Sequence, residues 1–447
     1  MREDFIQVSG TGFVLHGQPV RLRGYTFGSV MNLEHFMIGM PGTNQMIREA
    51  FAEVYGRKRA DAFFRELCRC MVGDEDVRFL ASLGINTIRI PLGYHWFMDD
   101  QQPDIWLQEG FDELEREIAL CRAHGLRVIL DLHSAPGGQN NDWHADNRTG
   151  QSLFWQYACF RRQTCRLWGE IARRYADDPW VVGYDVLNEP TYGLQPELFL
   201  GFYRDVTQAI RESDRHHIIF LEGDDFGRSF SAFPGEPEDP QTAFAMHFYP
   251  FVLEEDVLSP EMPAARRWEI FEQIFDRQLQ GMQRLRRPVW CGESGYNIID
   301  RQEDFYAELL LKNISLCETH GLSWSLWTYK DARRMGIVIP QRDSPWMRLR
   351  AKLESRWTHE WEQVTSTRLT RELWAQYRLP VRDTLAYDLE FRMRSILHRL
   401  EVEELLKPAL RAIPWEEIRS YPASFAFSEC EQRTALVDRL KAYLAGL

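Results

Sequence analysis

The feature that most constrains the fold of this chain is an alternation of short apolar runs with longer segments of helical periodicity. Eight runs have the composition of buried strands: 20–25, 87–90, 127–132, 181–186, 217–221, 243–247, 288–291 and 323–327. Helical patterns fill most of the intervals: 111–124, 155–175, 196–213, 266–287 and 304–320. Strands that alternate with helices pair in parallel, because a parallel connection needs a crossover. Eight such units in about 325 residues predict an α/β fold of the (β/α)8, or TIM, barrel type.

Three segments fall outside this alternation. Residues 5–18 have the pattern of a hairpin, which we place as a plug at the barrel base. Residues 31–75 form a long insertion after the first strand, and because such loops carry function in barrels, we expect it to wall the active site. Beyond the last strand, apolar residues from Leu389 to Leu400 recur at helical spacing. We therefore predict a catalytic barrel over 1–345 and a helical C-terminal appendage over 346–447.

Charge and composition argue against several classes of function. The chain has 447 residues, with 53 basic and 66 acidic side chains and a formal net charge of −13. This balance argues against nucleic-acid binding, which depends on neutralising phosphates with Lys and Arg. No apolar run is long enough to span a membrane. The charged start Met1-Arg2-Glu3-Asp4 leads into no apolar signal segment, so we expect a cytoplasmic protein with reduced cysteines.

Polar or aromatic residues stand at the carboxyl ends of six of the eight predicted strands. They are Arg89, His133, Asn188 and Glu189, His247 and Tyr249, Glu293, and Trp327. In a TIM barrel the carboxyl ends of all the strands meet at one mouth, where the catalytic residues lie. The sequence therefore predicts that these side chains face a common centre.

Two of these residues, Glu189 and Glu293, form a pair of carboxyl groups suited to glycosidic cleavage. One carboxyl must be protonated to give a proton to the leaving oxygen, and the other must be ionised to attack or to activate water. Different surroundings can separate two such pKa values. Arg89 and Tyr249 are candidates for holding one carboxylate ionised, and Asn188 for binding the sugar hydroxyl next to the reacting carbon.

Aromatic residues at the predicted mouth are candidate platforms for sugar rings, which stack on aromatic faces. Trp327, at the end of the last strand, offers a floor for such stacking. The mouth loops contribute Phe27, Tyr94, Trp96, Trp143, Tyr192 and Tyr296. Each of these loop residues suits plain packing equally well.

Taken in order, these strand-end residues make residues 10–330 resemble glycoside hydrolase family 5, a cellulase-like family of retaining β-glycosidases. The family pattern requires Arg, His, Asn-Glu, His-x-Tyr, Glu and Trp, and this chain supplies Arg89, His133, Asn188, Glu189, His247, Tyr249, Glu293 and Trp327. The resemblance implies that Glu189 is the acid/base and Glu293 the nucleophile of a double displacement. It implies a β-linked sugar as the substrate, and we expect no cofactor and no metal.

Within the family, the chain is most similar to exo-β-1,3-glucanases and related β-glucosidases. The segment 131–140 is similar to their third-strand motif, and Glu34 falls where they carry an acid that binds hydroxyls of a terminal glucose. Where they place an Asn shortly after that motif, this chain has His144, next to Trp143. The resemblance therefore implies exo action on β-glucosides or short β-glucans. His144, which departs from the pattern of those enzymes, and Trp143 are our candidates for additional substrate-binding residues.

Several alternatives stay open from the sequence. The enzyme could instead be an endo-acting β-glycanase, or a β-glycosidase of the same family that selects its aglycone, such as a glycolipid. A metal-dependent barrel hydrolase would use His133, Asp142, His144 and His247, because zinc needs three or four converging ligands. The remaining alternative is a non-catalytic carbohydrate-binding barrel, although loss of catalysis usually removes one of the two carboxylates, and both are present.

Overall fold

The computed structural model describes residues 4–190, 195–377 and 383–447. Three short antiparallel strands come first in this part of the chain: β1 (Gln7–Ser9), β2 (Gly12–Leu15) and β3 (Gln18–Val20). Phe13 on β2 lies opposite Val8 on one side and Val20 on the other. Its ring packs 6.1 Å from that of Phe220 in an apolar cluster that also contains Trp290. The small sheet thus covers the barrel at the end where the barrel strands begin.

Eight parallel strands in the described residues close into a barrel, neighbours following in chain order. They are β4 (Arg23–Thr26), β5 (Thr87–Gly93), β6 (Arg127–Ser134), β7 (Val181–Asp185), β8 (Ile218–Glu222), β9 (Thr242–His247), β10 (Val289–Glu293) and β11 (Ser323–Leu326). Pairing of Trp324 on β11 with Arg23 on β4 closes the ring. The predicted (β/α)8 barrel is confirmed. The predicted extent of its first strand was wrong, because Val20 pairs with Phe13 in β3 and the barrel strand begins at Arg23.

Helices connect the barrel strands along the outside. They are Asp74–Ser82, Gln108–Ala123, Ala158–Tyr175, Pro196–Arg211, the short Asp224–Gly227, Ala264–Met282 and Glu303–Thr319. Each long helix buries one face, as Ala158–Tyr175 does with Leu167, Trp168 and Ile171 at helical spacing. Gly125 and Gly321, with φ of 75° and 77°, follow two of these helices in the left-handed conformation that glycine adopts at helix ends. None of the helices in the described ranges is long and apolar enough to cross a membrane.

The long connection between β4 and β5 is mostly helical. Before the barrel helix Asp74–Ser82 it contains His35–Ile38, Asn44–Tyr55 and Arg57–Met71. The last two pack against each other through apolar side chains, with the rings of Phe51 and Phe63 4.6 Å apart. This insertion begins directly at the mouth of the barrel, after the first strand.

The C-terminal region is helical, as predicted, and packs on the barrel. Its helices are Pro345–Glu354, His359–Tyr377, Asp383–Glu401, Lys407–Arg411, Trp415–Ile418 and Thr434–Ala445, with a π-helical turn over Val402–Leu406. Strand β12 (Val338–Pro340), shortly after the barrel, pairs with β13 (Cys430–Gln432) near the end of the chain. Buried Lys330 forms an ion pair with Asp76 and donates to the carbonyl of Phe425 at 2.7 Å. The division of the chain into domains at residue 345 stays a prediction.

Candidate active site

Arg89 lies at the centre of the barrel mouth, fully buried on β5. Its Nη1 donates to Oε1 of Glu293 at the end of β10, and its Nη2 donates to Oδ1 of Asn188 at 2.8 Å. The other oxygen of Glu293 accepts from the Tyr249 hydroxyl at 2.8 Å. Burial opposes ionisation of Glu293, but the charges of His247 and Arg89 outweigh it and hold the pKa of this carboxyl below its usual range. Glu293 is therefore a carboxylate, the form that a nucleophile requires.

Three further carboxyl groups surround Arg89, and none of them was predicted from the sequence as a site residue. Asp131 and Asp185 lie 3.2 and 3.1 Å from its Nη2, and Glu222 lies 3.6 Å away. Asp185 and Glu222 end β7 and β8, so the strand-end signal that identified Glu293 was present for both. Together they fix the guanidinium, which in turn fixes Glu293.

Glu189 follows β7 in an unusual backbone conformation, with a φ of 47°. Residues other than glycine rarely adopt this left-handed region, so the surrounding structure must hold it. Glu222 accepts the backbone N–H of Glu189 at 2.8 Å, and Asn140 donates to its backbone carbonyl at 2.8 Å. These two contacts hold the turn that directs the Glu189 side chain into the mouth.

The Glu189 carboxyl lies between two imidazoles. Nδ1 of His247 is 2.7 Å from its Oε1, and Nε2 of His144 is 3.1 Å from its Oε2. Burial would raise the pKa of Glu189, but hydrogen bonds from His144 and His247 outweigh it and hold this pKa well below the usual range. Burial would likewise lower the pKa of His144, but Glu189 raises it. The two groups therefore share one proton and titrate as a pair.

Asn140 places a second polar group against the His144 imidazole. Its Oδ1 accepts from the backbone N–H of Asp142 at 2.9 Å, and its Nδ2 donates to the Glu189 carbonyl, so the amide orientation is fixed. The same Nδ2 lies 2.8 Å from Nε2 of His144 and can donate its second hydrogen there. Because Nε2 has one in-plane position for a hydrogen bond, it either donates to Glu189 or accepts from Asn140, so Asn140 competes with Glu189 for this nitrogen.

The two carboxyl groups of Glu189 and Glu293 lie close together. Facing oxygens of the two are within 4.8 Å of each other, and Nδ1 of His247 contacts both, at 2.7 and 3.5 Å. This separation agrees with the about 5–5.5 Å expected for retention of configuration and is shorter than the about 6.5–9.5 Å of inverting enzymes. By distance alone these three side chains could hold a metal ion. The Glu293 oxygens, however, already accept from Arg89 and Tyr249, as expected of a carboxylate pair that works without one.

His133, at the end of β6, connects a second group of predicted residues. Its Nδ1 lies 2.8 Å from Asp131 and its Nε2 lies 3.0 Å from Glu34. Burial would lower its pKa, but Asp131 and Glu34 raise it to about 10, so the ring is an imidazolium. Its ring stacks on that of Trp327 with centroids 5.0 Å apart. These contacts bring Glu34, from the insertion, together with His133 on β6 and Trp327, which follows β11.

Four of the predicted residues present groups that are suited to a sugar. Nδ2 of Asn188 is buried and has no hydrogen-bond partner in the part of the chain that is described, so this amide is available to a ligand. Trp143 and Tyr249 pack against the apolar cluster that contains Trp327 and, with it, form an apolar wall at the mouth. The structure therefore brings all the predicted site residues together.

The broader list of aromatic platforms was partly wrong. Phe27, Trp96 and Tyr296 are buried in the main hydrophobic core, behind the loops that were expected to present them. They pack there because burying a large apolar ring is more favourable than exposing it at the mouth. The hydroxyl of Tyr94 donates to Asp100 at 2.7 Å. Tyr192 lies outside the described residues.

The arrangement of the histidines disfavours the alternative of a metal-dependent hydrolase. Asp142 accepts from the backbone of Trp143 at 2.9 Å and pairs with Arg394 of the C-terminal region at 3.1 Å, so it is turned away from the mouth. His133 and His144 each contact a carboxyl group at hydrogen-bond distance. The four residues of that hypothesis therefore do not converge on one point.

A TIM barrel whose mouth holds two close carboxyl groups, one of them fixed by Arg and Tyr, defines a retaining β-glycoside hydrolase. A family model described as Cellulase (glycosyl hydrolase family 5) matches residues 69–333, more than half of the chain. The chain belongs to glycosyl hydrolase family 5.

Curated relatives agree with this assignment. The chain is 36% identical over 356 residues to a β-xylosidase of Phanerodontia chrysosporium, covering 77% of this chain and 75% of that protein. It is 29% identical to a probable glucan 1,3-β-glucosidase A of Emericella nidulans, over 45% of this chain and 51% of the relative. Among solved structures, Thermotoga maritima Cel5A in complex with mannotriose covers 71% of this chain and 92% of its own, with a TM-score of 0.51. At 16% identity the last comparison supports the fold alone.

Proposed function

We propose that this enzyme is an exo-acting β-glycosidase that releases single sugars from β-glucosides and short β-glucans. The observation that carries the proposal is the position of Glu34. This carboxyl group is 3% exposed and lies 3.0 Å from the His133 imidazolium, in the cluster that contains Trp327. An acid at this place is suited to bind two hydroxyls of a terminal sugar ring and to end the cleft there.

The walls around Glu34 support a pocket rather than an open groove. The loop 140–148 is held from the insertion, where Asn44 and the backbone of Gln45 both donate to Asp146 at 2.9 Å. It is held from the C-terminal region by Asn141, which donates to Asp388 at 3.0 Å. A loop fixed on two sides by polar contacts makes a permanent wall.

In the proposed mechanism, the Glu293 carboxylate attacks the anomeric carbon and displaces the leaving oxygen. Glu189 gives the proton that it shares with His144 to that oxygen, so the aglycone leaves neutral. Glu189 then takes a proton from water, whose oxygen attacks the same carbon and releases the Glu293 carboxylate. The free Nδ2 of Asn188 donates to the hydroxyl beside the reacting carbon. Two displacements return the sugar with its original β configuration.

The experiment that tests this proposal is hydrolysis of a panel of aryl β-glycosides together with labelled β-1,3- and β-1,4-glucan oligomers. The panel contains the glucoside, xyloside, mannoside and galactoside. Two relatives, a β-xylosidase and a probable glucan 1,3-β-glucosidase, are the reason for including the xyloside and the glucoside. Glu293→Gln is the inactive control, and Glu212→Gln, at an exposed position after the helix Pro196–Arg211, is the matched change that leaves activity intact.

We expect turnover of the β-glucoside and glucose as the only early product from the oligomers. Products of mixed length from the first minutes would contradict exo action and identify an endo-acting enzyme. Turnover of a glycolipid but of none of the panel would instead identify an aglycone-selective enzyme. A folded protein that binds sugar and turns over none of these substrates would point to the non-catalytic alternative.

A further inference from the structure

A second group of histidines and glutamates lies outside the catalytic site, where the insertion meets the C-terminal helices. Its members, which we call the His–Glu cluster, are His35, His359, Glu362, His398 and Glu401. All five are more than nine-tenths buried, and His35 and Glu362 are completely buried. The glycosidase mechanism uses none of them.

The cluster has a regular origin in the sequence. His359 and Glu362 are three residues apart on the helix His359–Tyr377, and His398 and Glu401 have the same spacing on the helix Asp383–Glu401. Side chains three apart lie on one face of a helix, and these two helices pack against each other. Some helical bundles build metal sites in their cores from His and Glu side chains three residues apart on facing helices.

Three ligand atoms in one half of the cluster have distances that suit a single ion. Nε2 of His35 lies 2.9 Å from Nδ1 of His359 and 3.6 Å from Oε2 of Glu362. All three atoms are within 4.8 Å of one another. Ligand atoms around a tetrahedral zinc ion, with bonds of about 2.0–2.1 Å, lie about 3.3 Å apart. Only small shifts would bring these three atoms onto one ion.

The other half of the cluster shares Glu362. Nε2 of His398 lies 2.9 Å from Oε1 of Glu362, and both atoms form a second group of possible ligands with Glu401. Despite the short distance, neither atom makes a hydrogen bond of acceptable geometry within the described chain. Both oxygens of Glu401 and Nδ1 of His35 also have no such partner there. Buried polar atoms are nearly always hydrogen-bonded, so polar atoms left without a well-oriented hydrogen bond beside Glu362 are suited to a further ligand.

The charge around Glu362 points to a cation as that ligand. A fully buried carboxylate is costly unless a positive charge compensates it. The nearest fixed cation, Arg394, has its Nε 4.0 Å from Glu362 and is already paired with Asp142 at 3.1 Å and Glu390 at 3.3 Å. A divalent ion bound to Glu362 and the imidazoles of His35 and His359 would supply this charge.

We propose that His35, His359 and Glu362 bind one divalent transition-metal ion of the zinc class through Nε2, Nδ1 and Oε2. His398, next to the other oxygen of Glu362, and Glu401 form a separate group. Imidazole nitrogens with one or two carboxylates are a donor set for zinc and its neighbours rather than for magnesium or calcium. This proposal departs from the expectation, made from the sequence, that the chain binds no metal.

The ion would join the first barrel loop to the C-terminal helices directly behind the wall of the active site. The rings of His35 and Trp143 meet edge to face with centroids 4.4 Å apart, and Trp143 packs against the apolar cluster that contains Trp327. The metal therefore has a positioning role, since it holds Trp143 without touching the substrate. The proposal stands independently of the exo activity, because its test measures metal content.

The test uses the full chain, purified without a metal-binding tag and saturated with Zn²⁺ before gel filtration. Elemental analysis is expected to give about one equivalent of zinc per chain, and Co²⁺ in its place to give visible absorption of a His-ligated site. Glu362→Gln and His359→Gln are expected to lose most of this metal. The matched control is His124→Gln, a histidine paired with Asp74 outside the cluster, which should keep it. Chelation should lower the melting temperature of the wild-type chain and of the control.

Less than about 0.1 equivalent of any transition metal, with no cobalt absorption in the wild-type chain, would overturn the proposal. Equal metal loss in His124→Gln would overturn it as well, because it would identify adventitious binding. If the cluster variants fail to fold, the cobalt spectrum and the chelation result of the wild-type chain decide. A wild-type chain that takes up no metal from the Zn²⁺ solution and still hydrolyses glucosides normally would refute this proposal and leave the proposed function intact.

Discussion

Nε2 of His144 lies 3.1 Å from Oε2 of Glu189, so the carboxyl that we assign as the acid shares its proton with an imidazole. Related enzymes place an asparagine near this position, and an asparagine cannot store a proton. The exchange of one side chain thus changes how Glu189 is kept protonated, while the carboxyl group itself stays the same. The consequence is a pH dependence that belongs to the pair.

The first prediction concerns His144→Asn. Because Glu189 raises the pKa of His144, the pair keeps its proton to a higher pH than Glu189 would alone. Without the imidazole only Glu189 holds the proton, and His247 still lowers the pKa of that carboxyl. The alkaline limb of kcat/KM should therefore move to lower pH by about one unit or more. His124→Asn is the control, and a limb that moved to higher pH would show that His144 merely acidifies Glu189.

The second prediction separates the roles of the two carboxyl groups. Glu293→Ala should lose about 10⁴-fold or more in kcat, and azide should rescue it by attacking the anomeric carbon to give an α-glycosyl azide. Glu189→Ala should be rescued by azide with a β-configured product, because Glu293 still forms the intermediate. The anomeric configuration, measured by NMR, distinguishes the two. An exchange of the two products between the variants would reverse the assignment.

The third prediction concerns stability. Arg89→Met removes the cation from the centre of four buried carboxyl groups, and breaking such a network should cost about 3–5 kcal/mol in the free energy of unfolding. Without Arg89, the pKa of Glu293 in the folded state rises, so the loss is largest above that pKa and shrinks as the pH falls through it. Urea unfolding at pH 5 and pH 8 measures this. Arg173→Gln, a surface change, should leave stability unchanged at both.

The fourth prediction tests the end of the pocket. Glu34→Gln should lower kcat/KM for the aryl β-glucoside by about 10–100-fold, because hydrogen bonds to a charged group are worth about 1.5–3 kcal/mol. Most of the loss should appear in KM if Glu34 binds hydroxyls away from the reacting carbon. Glu49→Gln, a half-exposed partner of Arg148 on the insertion, is the control. Equal kinetics for Glu34→Gln and the wild-type enzyme would contradict the assignment of Glu34 as the acid that binds the terminal sugar.

The sequence alone determined the barrel and most of its mouth. Apolar runs of strand length and helical periodicity are local patterns, and the geometry of parallel strands brings their carboxyl ends to one place. That is why the order of strands and strand-end residues was enough to assign Arg89, Glu189 and Glu293 to one site. Asp185 and Glu222 followed the same rule and were missed because a lone acid at a strand end is most often an ordinary surface charge.

The tertiary structure alone decided which of these groups touch. That His144 reaches Glu189, that Arg394 holds Asp142, and that His35 meets His359 from 324 positions away depends on how loops and helices pack. The helical spacing of His359 and Glu362 was readable in the sequence, but the partner that faces them was not. Contacts between distant segments are set by the shape of a whole packed interior, which no short window of residues contains.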